Sequence, residues 1–322
     1  MNVLTICSVF HSENSKKYLE LNQKLTTALN KRDDYVRLVV NNMPEGTTLS
    51  TFESKHFKVI SGVPMAKHLE TLEPWKHPLK VSTHWGTAQN LAMKQVDTPY
   101  AMILDGDFFI VRPNWITDVI DHMRTNNLAL LGVEWHPRWY KKVRYFPTIH
   151  ALVIDTKQLA LKDLDLRPLY ATEDEMPPKV VPLARPSLLS TLKANITMRQ
   201  QVGTSKDSGH DFYAKYFGRV RNEIFLPVFK PYAGDNFFER TLKIGIDRIL
   251  PDRYALIPKA SSYTTRGFKE RGYFDALEYG WEEFIWKDEP FGFHMRNTGN
   301  KMRTEAERME LAERSVQNFM PK

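Results

Sequence analysis

Two carboxylates stand one residue apart at the end of a short apolar run. Asp105 and Asp107 flank Gly106, and Tyr100–Leu104 directly precedes them. The run predicts a buried strand, and the small residue between the acids lets the chain turn so that both carboxylates face one point. Carboxylate oxygens there suit Mg²⁺ or Mn²⁺, which commonly bridge protein carboxylates and a diphosphate. The spacing predicts a metal site, with a plain strand-end turn as the alternative.

A second pair of acids has the same spacing but lacks that context. Asp163 and Asp165 flank Leu164 in a polar segment that no apolar run precedes. Without a strand to hold the two acids, the segment predicts a solvated turn or an exposed helix face. Context, rather than the spacing itself, therefore selects Asp105 and Asp107 as the metal site.

The elements that must position these acids alternate between strand and helix patterns. Short apolar, β-branched runs predict strands, and apolar residues three and four apart predict helices. The predicted strands are Val3–Val9, Tyr35–Val40, Phe57–Ile60, Tyr100–Leu104, Leu128–Val133 and Ile149–Ile154. The predicted helices are Ser15–Leu29, His84–Lys94, Ser208–Phe217 and Thr304–Phe319. This alternation predicts an α/β protein with a mixed, mostly parallel sheet flanked by helices.

The pattern divides the chain into a core and a C-terminal region. Residues 1–235 carry the alternation, which is interrupted at about 168–201 by a stretch rich in proline that predicts an inserted loop or lid. Residues 236–322 are predicted to close over the site. They end in an amphipathic helix, in which Thr304 and Glu307 form a capping box.

The composition is that of an ordinary globular protein, with 42% apolar and 26% charged residues in 322. A formal net charge of +7 favours anionic partners such as nucleotide diphosphates, phospholipid head groups or nucleic acid. Solubility alone is the alternative, because the Lys and Arg residues are spread along the chain. No run approaches the roughly 18 apolar residues of a membrane span, and no signal-peptide pattern is present. With Cys7 as the single cysteine, these features predict a cytoplasmic location.

Three segments around the acidic pair resemble the core of GT-A glycosyltransferases, close to their large family 2 group. They are Thr83–Met93, Asp97–Tyr100 and Leu104–Asp107. In that family a helix with a Gly-x-Ala-x-Asn-like segment precedes an apolar strand that ends in an Asp-x-Asp motif. The resemblance implies a GT-A fold, a nucleotide-sugar donor, and Mn²⁺ or Mg²⁺ bound by Asp105 and Asp107.

The resemblance also implies a set of donor contacts from the strand ends and the glycine-containing helix. They are Ser8, Phe10, His11, Asn41, His84, Gly86, Asn90, Asp105 and Gly106. For Gly86 and Asn90 the alternative is a helix start and an exposed polar residue. The aromatic-rich stretch Glu134–Tyr140 suits stacking on a sugar ring, with ordinary packing as its alternative.

Asp207–Phe212 resembles the acceptor-facing element of these enzymes. There an acid at the start of a helix takes the proton of the acceptor hydroxyl in inverting members. Asp211 is the candidate base, with a capping or ion-pair role as the alternative. Asp207 is the second catalytic candidate, with helix capping as its alternative. The Glu-Asp pair usual in this element is absent, so the resemblance does not imply inversion of configuration.

Phe291–Lys301 resembles the C-terminal histidine element of the same family. The resemblance implies that His294 completes the metal coordination or bonds a phosphate oxygen. Arg296 and Lys301 would add positive charge beside the diphosphate. A structural role is the alternative for His294. Two further segments, Asp235–Asn236 and Trp281–Glu283, are candidates for the acceptor pocket.

Together these features predict the transfer of a sugar from a nucleotide-sugar to a hydroxyl of a carbohydrate or another acceptor. A sugar nucleotidyltransferase would share the strand and its acids, but Val9–Asn14 lacks the glycine-rich, basic loop expected after its first strand. A nucleic-acid-binding protein fits the charge, yet the chain has no zinc-ligand spacing, RNP-type motif or compact basic helix. A glycosyltransferase acting on modified nucleic acid, and a fold relative without activity, also stay open.

Overall fold

The computed structural model describes residues 2–44, 56–135, 146–172, 174, 206–229, 237–238, 241, 263–295 and 303–321. The strands are β1 (Leu4–Phe10), β2 (Tyr35–Asn41), β3 (Phe57–Ser61), β4 (Tyr100–Leu104), β5 (Phe108–Ile110), β6 (Leu130–Val133), β7 (Ala151–Asp155), β8 (Asn222–Pro227), β9 (Glu282–Trp286) and β10 (Glu289–His294). The helices are α1 (Glu13–Leu29), α2 (Met65–Thr71), α3 (Lys80–Met93), α4 (Trp115–Asn126), α5 (His210–Tyr216) and α6 (Glu305–Gln317).

The described strands form one sheet in the order β3-β2-β1-β4-β7-β6-β8-β9-β10-β5. β1 runs parallel to β2 and β4, and β2 runs parallel to β3. β7 then enters antiparallel between β4 and β6. The pairs β8–β9, β9–β10 and β10–β5 are also antiparallel. The predicted α/β class, with a mixed sheet flanked by helices, is confirmed. Among the described strands its parallel part comprises β3-β2-β1-β4 and the pair β6–β8.

Alternate residues of the central strands pack against helices on opposite faces of the sheet. Ile6 lies in a core cluster with Trp115 of α4, whereas Cys7 lies in a second cluster with Ala88 of α3. Burying one large apolar side chain contributes about 1.5–3 kcal/mol, so the two layers hold the central strands firmly. Cys7 is the buried small side chain that its apolar surroundings predict, and burial raises the pKa of its thiol to about 12.

Local capping explains where three helices begin. Ser12 caps α1 in a capping box with Ser15. The predicted box at the start of α6 is confirmed, because the Thr304 side chain accepts from the Glu307 N–H and Glu307 bonds back to Thr304. α5 starts later than predicted, since Gly209 precedes it in the left-handed region at φ 80°. Asp207 therefore lies in the turn before the helix.

The C-terminal strands belong to the same sheet as the N-terminal ones. β10 pairs with β5 through Gly292 and Ile110, and α6 packs beside α1 around Leu25 and Ala312. The predicted C-terminal region, residues 236–322, thus contributes the strands β9 and β10 to the core sheet. Most of the predicted insertion at 168–201 lies outside the described residues. No helix in the described ranges is both long and apolar enough to cross a membrane.

Candidate active site

A cavity of about 510 Å³ opens at the edge of the sheet where β1 and β4 end. Its walls come from the turn after β4, the starts of α1, α3 and α6, and the residues before β7 and α5. The lining residues include Val9, His11, Ser15, Tyr18, Asn42, His84, Trp85, Asp105, Gly106, Asp107, Trp135, Ile149, His150, Asp207, Glu305 and Arg308. This is the edge at which the sequence places its acidic pair, and where open α/β sheets bind ligands.

Asp105 lies at this edge of the sheet because it directly follows β4, which ends at Leu104. Its N–H donates to the His150 carbonyl at 2.9 Å, and the Phe108 N–H donates back to the Asp105 carbonyl at 3.1 Å, which closes the turn. Nδ1 of His150 lies 2.8 Å from Oδ2 of Asp105. Ala151, the first residue of β7, pairs with Leu104. Antiparallel pairing therefore carries His150 to Asp105.

His294 reaches the same point from the end of β10. Its Nε2 lies 3.3 Å from Oδ1 of Asp107 and 3.9 Å from Oδ2 of Asp105. The next residue, Met295, donates its N–H to the Asp107 carbonyl at 3.1 Å, which fixes β10 to the acidic turn. One potential ligand atom from each of Asp105, His150 and His294 lies within 4.8 Å of the others.

A buried carboxylate lies behind His294. Glu282 is 2% exposed and His294 is 3% exposed, and Oε2 of Glu282 lies 3.4 Å from Nδ1 of His294. The imidazole thus has a carboxylate at Nδ1 and the acidic turn at Nε2. A carboxylate that accepts the Nδ1 proton of a ligating histidine fixes its tautomer and raises the basicity of the other nitrogen, and Glu282 lies within ion-pair distance of Nδ1.

The imidazoles influence the ionisation of Asp107. Burial acts to raise the pKa of its carboxyl, but the charge and hydrogen bond of His294, with a smaller contribution from His150, hold that pKa below its usual value. Asp107 is consequently a carboxylate at neutral pH. Its side chain is 32% exposed, against 16% for Asp105, so Asp107 lies nearer the open side of the cavity.

The donor set fits a divalent first-row metal ion. Asp105 offers a carboxylate oxygen, and His150 and His294 offer imidazole nitrogens. Carboxylates suit Mg²⁺ and Mn²⁺, whereas imidazoles suit the later first-row ions, so this mixed set favours Mn²⁺ over Mg²⁺. The predicted ligands Asp105 and His294 thus converge with His150, and Asp107 stands beside them.

Several predicted residues do meet in the cavity. They are His11, His84, Asp105, Gly106, Asp107 and Asp207. Nε2 of His84 contacts the carbonyl of Val63, which fixes that ring. A Cβ at Gly106 would find its nearest atom at 3.7 Å, an ordinary contact. The turn therefore has room for a small side chain at this position and does not require glycine.

Three predicted donor contacts at the ends of β1 and β2 point away from the cavity. The Ser8 hydroxyl donates to a backbone carbonyl of β4 at 3.0 Å. Phe10 is fully buried against α1 and β2. Oδ1 of Asn41 accepts a backbone N–H two residues further along at 2.9 Å. Their chain neighbours line the cavity: Val9, Asn42 and His11, which is itself a predicted contact.

Gly86, Asn90 and Asp211 support the segment around Asp165 instead of the cavity. A Cβ on Gly86 would lie 2.8 Å from backbone atoms of that segment, and Asn90 donates to Oδ1 of Asp165 at 2.9 Å. Asp211 accepts the Asp165 N–H at 3.0 Å and pairs with Lys215 at 2.7 Å. Gly86 lies inside α3 rather than at a helix start, and Asn90 is half-buried rather than exposed. Only the ion-pair alternative stated for Asp211 describes its position, and Asp211 is not placed to meet an acceptor in this cavity.

Some predicted residues lie outside the described part of the chain. They are Arg296, Lys301, Asp235, Asn236 and residues 136–140. Trp135, from the aromatic stretch, is described and lines the cavity, with its ring centroid 4.7 Å from that of His150.

Sequence reasoning missed four residues of the site: Tyr18, His150, Glu305 and Arg308. His150 is the second residue of the predicted strand Ile149–Ile154 and directly precedes β7, so its position near a strand end follows from the sequence. Its closeness to Asp105 depends on β7 running antiparallel beside β4, which no local pattern encodes. Tyr18 and Arg308 lie within helices, where a polar residue on a half-buried face gives no functional signal.

No protein-family model and no curated protein matches the chain. Solved structures do match the chain, and three of them are structures of TarS, of mannosyltransferase PcManGT and of galactosyltransferase LgtC. TarS 1–349 from S. aureus is 16% identical with a TM-score of 0.36, covering 53% of this chain and 52% of that one; TarS 1–349 also has a structure in complex with UDP. Mannosyltransferase PcManGT from Pyrobaculum calidifontis, in complex with GDP-Man and Mn²⁺, is 11% identical with a TM-score of 0.35, covering 49% and 46%.

Galactosyltransferase LgtC, in complex with donor and acceptor sugar analogs, is 12% identical with a TM-score of 0.42, covering 80% of this chain and 86% of that one. The chain spans about half the length of TarS 1–349 and of PcManGT. All three TM-scores are 0.42 or lower, so the residues of the site, and not these matches, support the proposal that follows.

Proposed function

We propose that the protein is a divalent-metal-dependent glycosyltransferase of the GT-A type, which moves a sugar from a nucleoside-diphosphate sugar to an acceptor hydroxyl. The observation that carries this proposal is the convergence of Asp105, His150 and His294, with ligand atoms within 4.8 Å of one another. The cluster lies at the end of β4 beside a cavity of about 510 Å³, a volume in the range of small-molecule sites.

In this proposal Asp105, His150 and His294 would hold Mn²⁺, and Asp107 would orient the donor beside the metal. A bound divalent cation supplies Lewis-acid stabilisation of the negative charge on a leaving diphosphate. Glu282, whose carboxylate lies 3.4 Å from Nδ1 of His294, would help to keep Nε2 directed at the acidic turn. The protein thus contributes a site whose ligands are held in place before the donor arrives.

Asp207 is the residue that we propose as the base for the acceptor hydroxyl. It lines the cavity together with Trp135 and Ile149, and its Oδ1 accepts the Ser208 N–H at 2.8 Å. This backbone contact orients the carboxylate, as a proton acceptor in catalysis requires. Asp211 has its carboxylate occupied by Lys215 and a backbone N–H.

Two indole rings give the cavity flat apolar surfaces. Trp85 and Trp135 both line it, and aromatic rings of this kind stack on sugar rings and on nucleobases. The mixture of carboxylates, imidazoles and indoles suits a ligand with a charged diphosphate and a polar ring at either end. A sugar nucleotidyltransferase and a glycosyltransferase acting on modified nucleic acid use ligands of related chemistry, and the products distinguish them.

The proposal is tested by incubating the protein with a panel of UDP- and GDP-sugars and Mn²⁺, with and without candidate acceptors, and measuring the nucleoside diphosphate released. We expect release from one donor, only with metal, and a loss of about 100-fold or more in Asp105→Asn, since the ligand carboxylate is removed. Asp163→Asn, from the exposed member of the second acidic pair, is the matched control and should keep full activity. The proposal would be contradicted if Asp105→Asn released the nucleoside diphosphate as fast as the wild type. It would also be contradicted if the protein formed pyrophosphate from a nucleoside triphosphate and a sugar phosphate.

A further inference from the structure

A carboxylate of the protein itself occupies the cationic side of the cavity. Glu305, the first residue of α6, accepts a hydrogen bond from Nη1 of Arg308 at 3.0 Å through Oε2. Its other oxygen, Oε1, accepts from the Tyr18 hydroxyl at 2.7 Å. All three side chains line the cavity that holds the acidic turn. A guanidinium and a phenol therefore converge on the two oxygens of one anion.

Arg308 is tied to the metal-ligating cluster through a single residue. Its Nη2 donates to the Met295 carbonyl at 3.1 Å, and the Met295 N–H donates to the Asp107 carbonyl at 3.1 Å. Arg308 is 8% exposed, so its guanidinium has little freedom to move. Its position relative to the acidic turn is thus set by the backbone of β10.

The charge of the cavity makes this arginine unusual. Among the described lining residues, Arg308 is the only lysine or arginine, while four carboxylates line the same space: Asp105, Asp107, Asp207 and Glu305. A dianionic or trianionic ligand entering this cavity needs every positive charge that the site offers. In the structure that one guanidinium is already neutralised by Glu305.

We propose that Glu305 is an internal placeholder for a phosphate group of the donor, an inference that rests on the function proposed above. A phosphate presents oxygen acceptors and negative charge to Arg308 and Tyr18, as the Glu305 carboxylate does. When the diphosphate binds, it takes over both hydrogen bonds and the carboxylate turns away. The Glu305 side chain is 37% exposed and that of Arg308 is 9% exposed, so the acid is the partner with room to leave.

The placeholder has two consequences for the reaction. Arg308 and Tyr18 stay ordered in the absence of donor, because the carboxylate holds them in the geometry that a phosphate requires. The same carboxylate competes with the bound diphosphate and therefore promotes release of the product. Glu305 is a positioning residue in this account, and Arg308 and Tyr18 are the binding groups.

The inference is tested by calorimetric titration with Mn²⁺ and inorganic pyrophosphate, a probe that carries the charged group without a nucleoside or a sugar. UDP and GDP serve as second probes. We expect Glu305→Gln to bind pyrophosphate about tenfold more tightly than the wild type, since a competing charge-assisted hydrogen bond is weakened. Arg308→Gln should bind about tenfold or more weakly, and Tyr18→Phe several-fold more weakly, for the reverse reason.

Two further variants separate displacement from a structural role. Glu310→Gln removes an exposed carboxylate from the same helix and should leave binding unchanged. In Glu305→Gln combined with Arg308→Gln, the gain from the first substitution should disappear, because Glu305 acts through Arg308. Melting temperatures of all variants identify any that lose binding by losing the fold.

The outcomes distinguish this inference from the function on which it rests. A wild-type protein that binds none of pyrophosphate, UDP or GDP with Mn²⁺ would contradict the proposed donor site and the placeholder together. A wild-type protein that binds, with Glu305→Gln no tighter than Glu310→Gln, would overturn the placeholder alone. Weaker binding by Glu305→Gln would also overturn it, and would make Glu305 a structural support.

Discussion

Nδ1 of His150 lies 2.8 Å from Oδ2 of Asp105, although the two residues are 45 positions apart in the sequence. The contact follows from strand pairing, because β7 runs antiparallel beside β4 with Ala151 opposite Leu104. His294 arrives in the same way from the end of β10. The candidate metal ligands therefore come from three strands, and a shift of one residue in any register would turn a ligand to the other face of the sheet.

Glu282 is expected to control the metal affinity without binding the metal. In Glu282→Gln the carboxylate behind Nδ1 of His294 is replaced by an amide, so the imidazole is a weaker and less well oriented ligand. We expect the affinity for Mn²⁺ to fall by about 10–100-fold, the usual effect of losing such a partner. Titration of free Mn²⁺ by electron paramagnetic resonance measures this directly.

The surface of the protein offers a matched control for that experiment. Glu223 lies 2.7 Å from Nε2 of His122, so it is also a carboxylate beside an imidazole, but outside the cavity. Glu223→Gln should leave Mn²⁺ affinity unchanged. Equal affinities for the two variants would mean that Glu282 has no role at the metal.

Asp207 and Asp211 are expected to differ in which property they affect. Asp207→Asn removes the proposed base and should lower kcat by about 10²–10⁴-fold, with the Kd for the donor little changed. Asp211→Asn weakens the contacts with Lys215 and the Asp165 N–H, so it should cost about 1 kcal/mol of stability and leave kcat intact. Steady-state kinetics and urea unfolding of both variants test this prediction. A large fall in kcat for Asp211→Asn, with kcat intact in Asp207→Asn, would identify Asp211 in α5 as the base.

Glu283 is expected to make the stability depend on pH. It is 1% exposed, and burial raises its pKa from 4.5 to about 7. The hydrogen bonds that backbone N–H groups donate to the carboxylate act to lower that pKa. A carboxyl whose pKa is higher in the folded state than in the unfolded state binds protons more tightly when folded. The free energy of unfolding should therefore fall as pH rises from about 5 to 7, and this contribution should level off above that.

Urea unfolding at several pH values checks the Glu283 prediction. The fall should reach at most about 3 kcal/mol, since each unit of pKa shift is worth about 1.4 kcal/mol. In Glu283→Gln the titrating group is absent, so the difference between wild type and variant should shrink from pH 5 to 7. A difference that is constant across this range would show that Glu283 does not titrate there.

Features of the chain that depend on local pattern could be predicted from the sequence. The apolar run before Asp105 forms β4, and the capping box of Thr304 and Glu307 starts α6 as expected. The α/β class followed from the alternation of such runs. These features need only a few consecutive residues, because hydrophobic periodicity and capping act within a turn or a strand.

The parts of the site that were not predicted depend on long-range pairing. His150 could not be assigned because the direction of β7 beside β4 is set by the whole sheet. Asn90 and Asp211 were expected as a donor contact and a catalytic base, yet both bond to the segment around Asp165. At the end of β1 two expected contacts differ, because Ser8 points into the core while His11 lines the cavity as expected. In each case packing between distant segments decides which side chain faces the ligand.

The most direct test of the central claim is a thermal-shift measurement with UDP and GDP, each with and without Mn²⁺. A ligand that binds only the folded state raises Tm with the logarithm of its concentration over Kd. The account predicts a shift with one nucleotide, only when Mn²⁺ is present, that is lost in Asp107→Ala and His150→Gln and kept in the exposed control His77→Gln. A shift of the same size without metal, or in both site variants, would contradict a metal-dependent donor site at Asp105, His150 and His294.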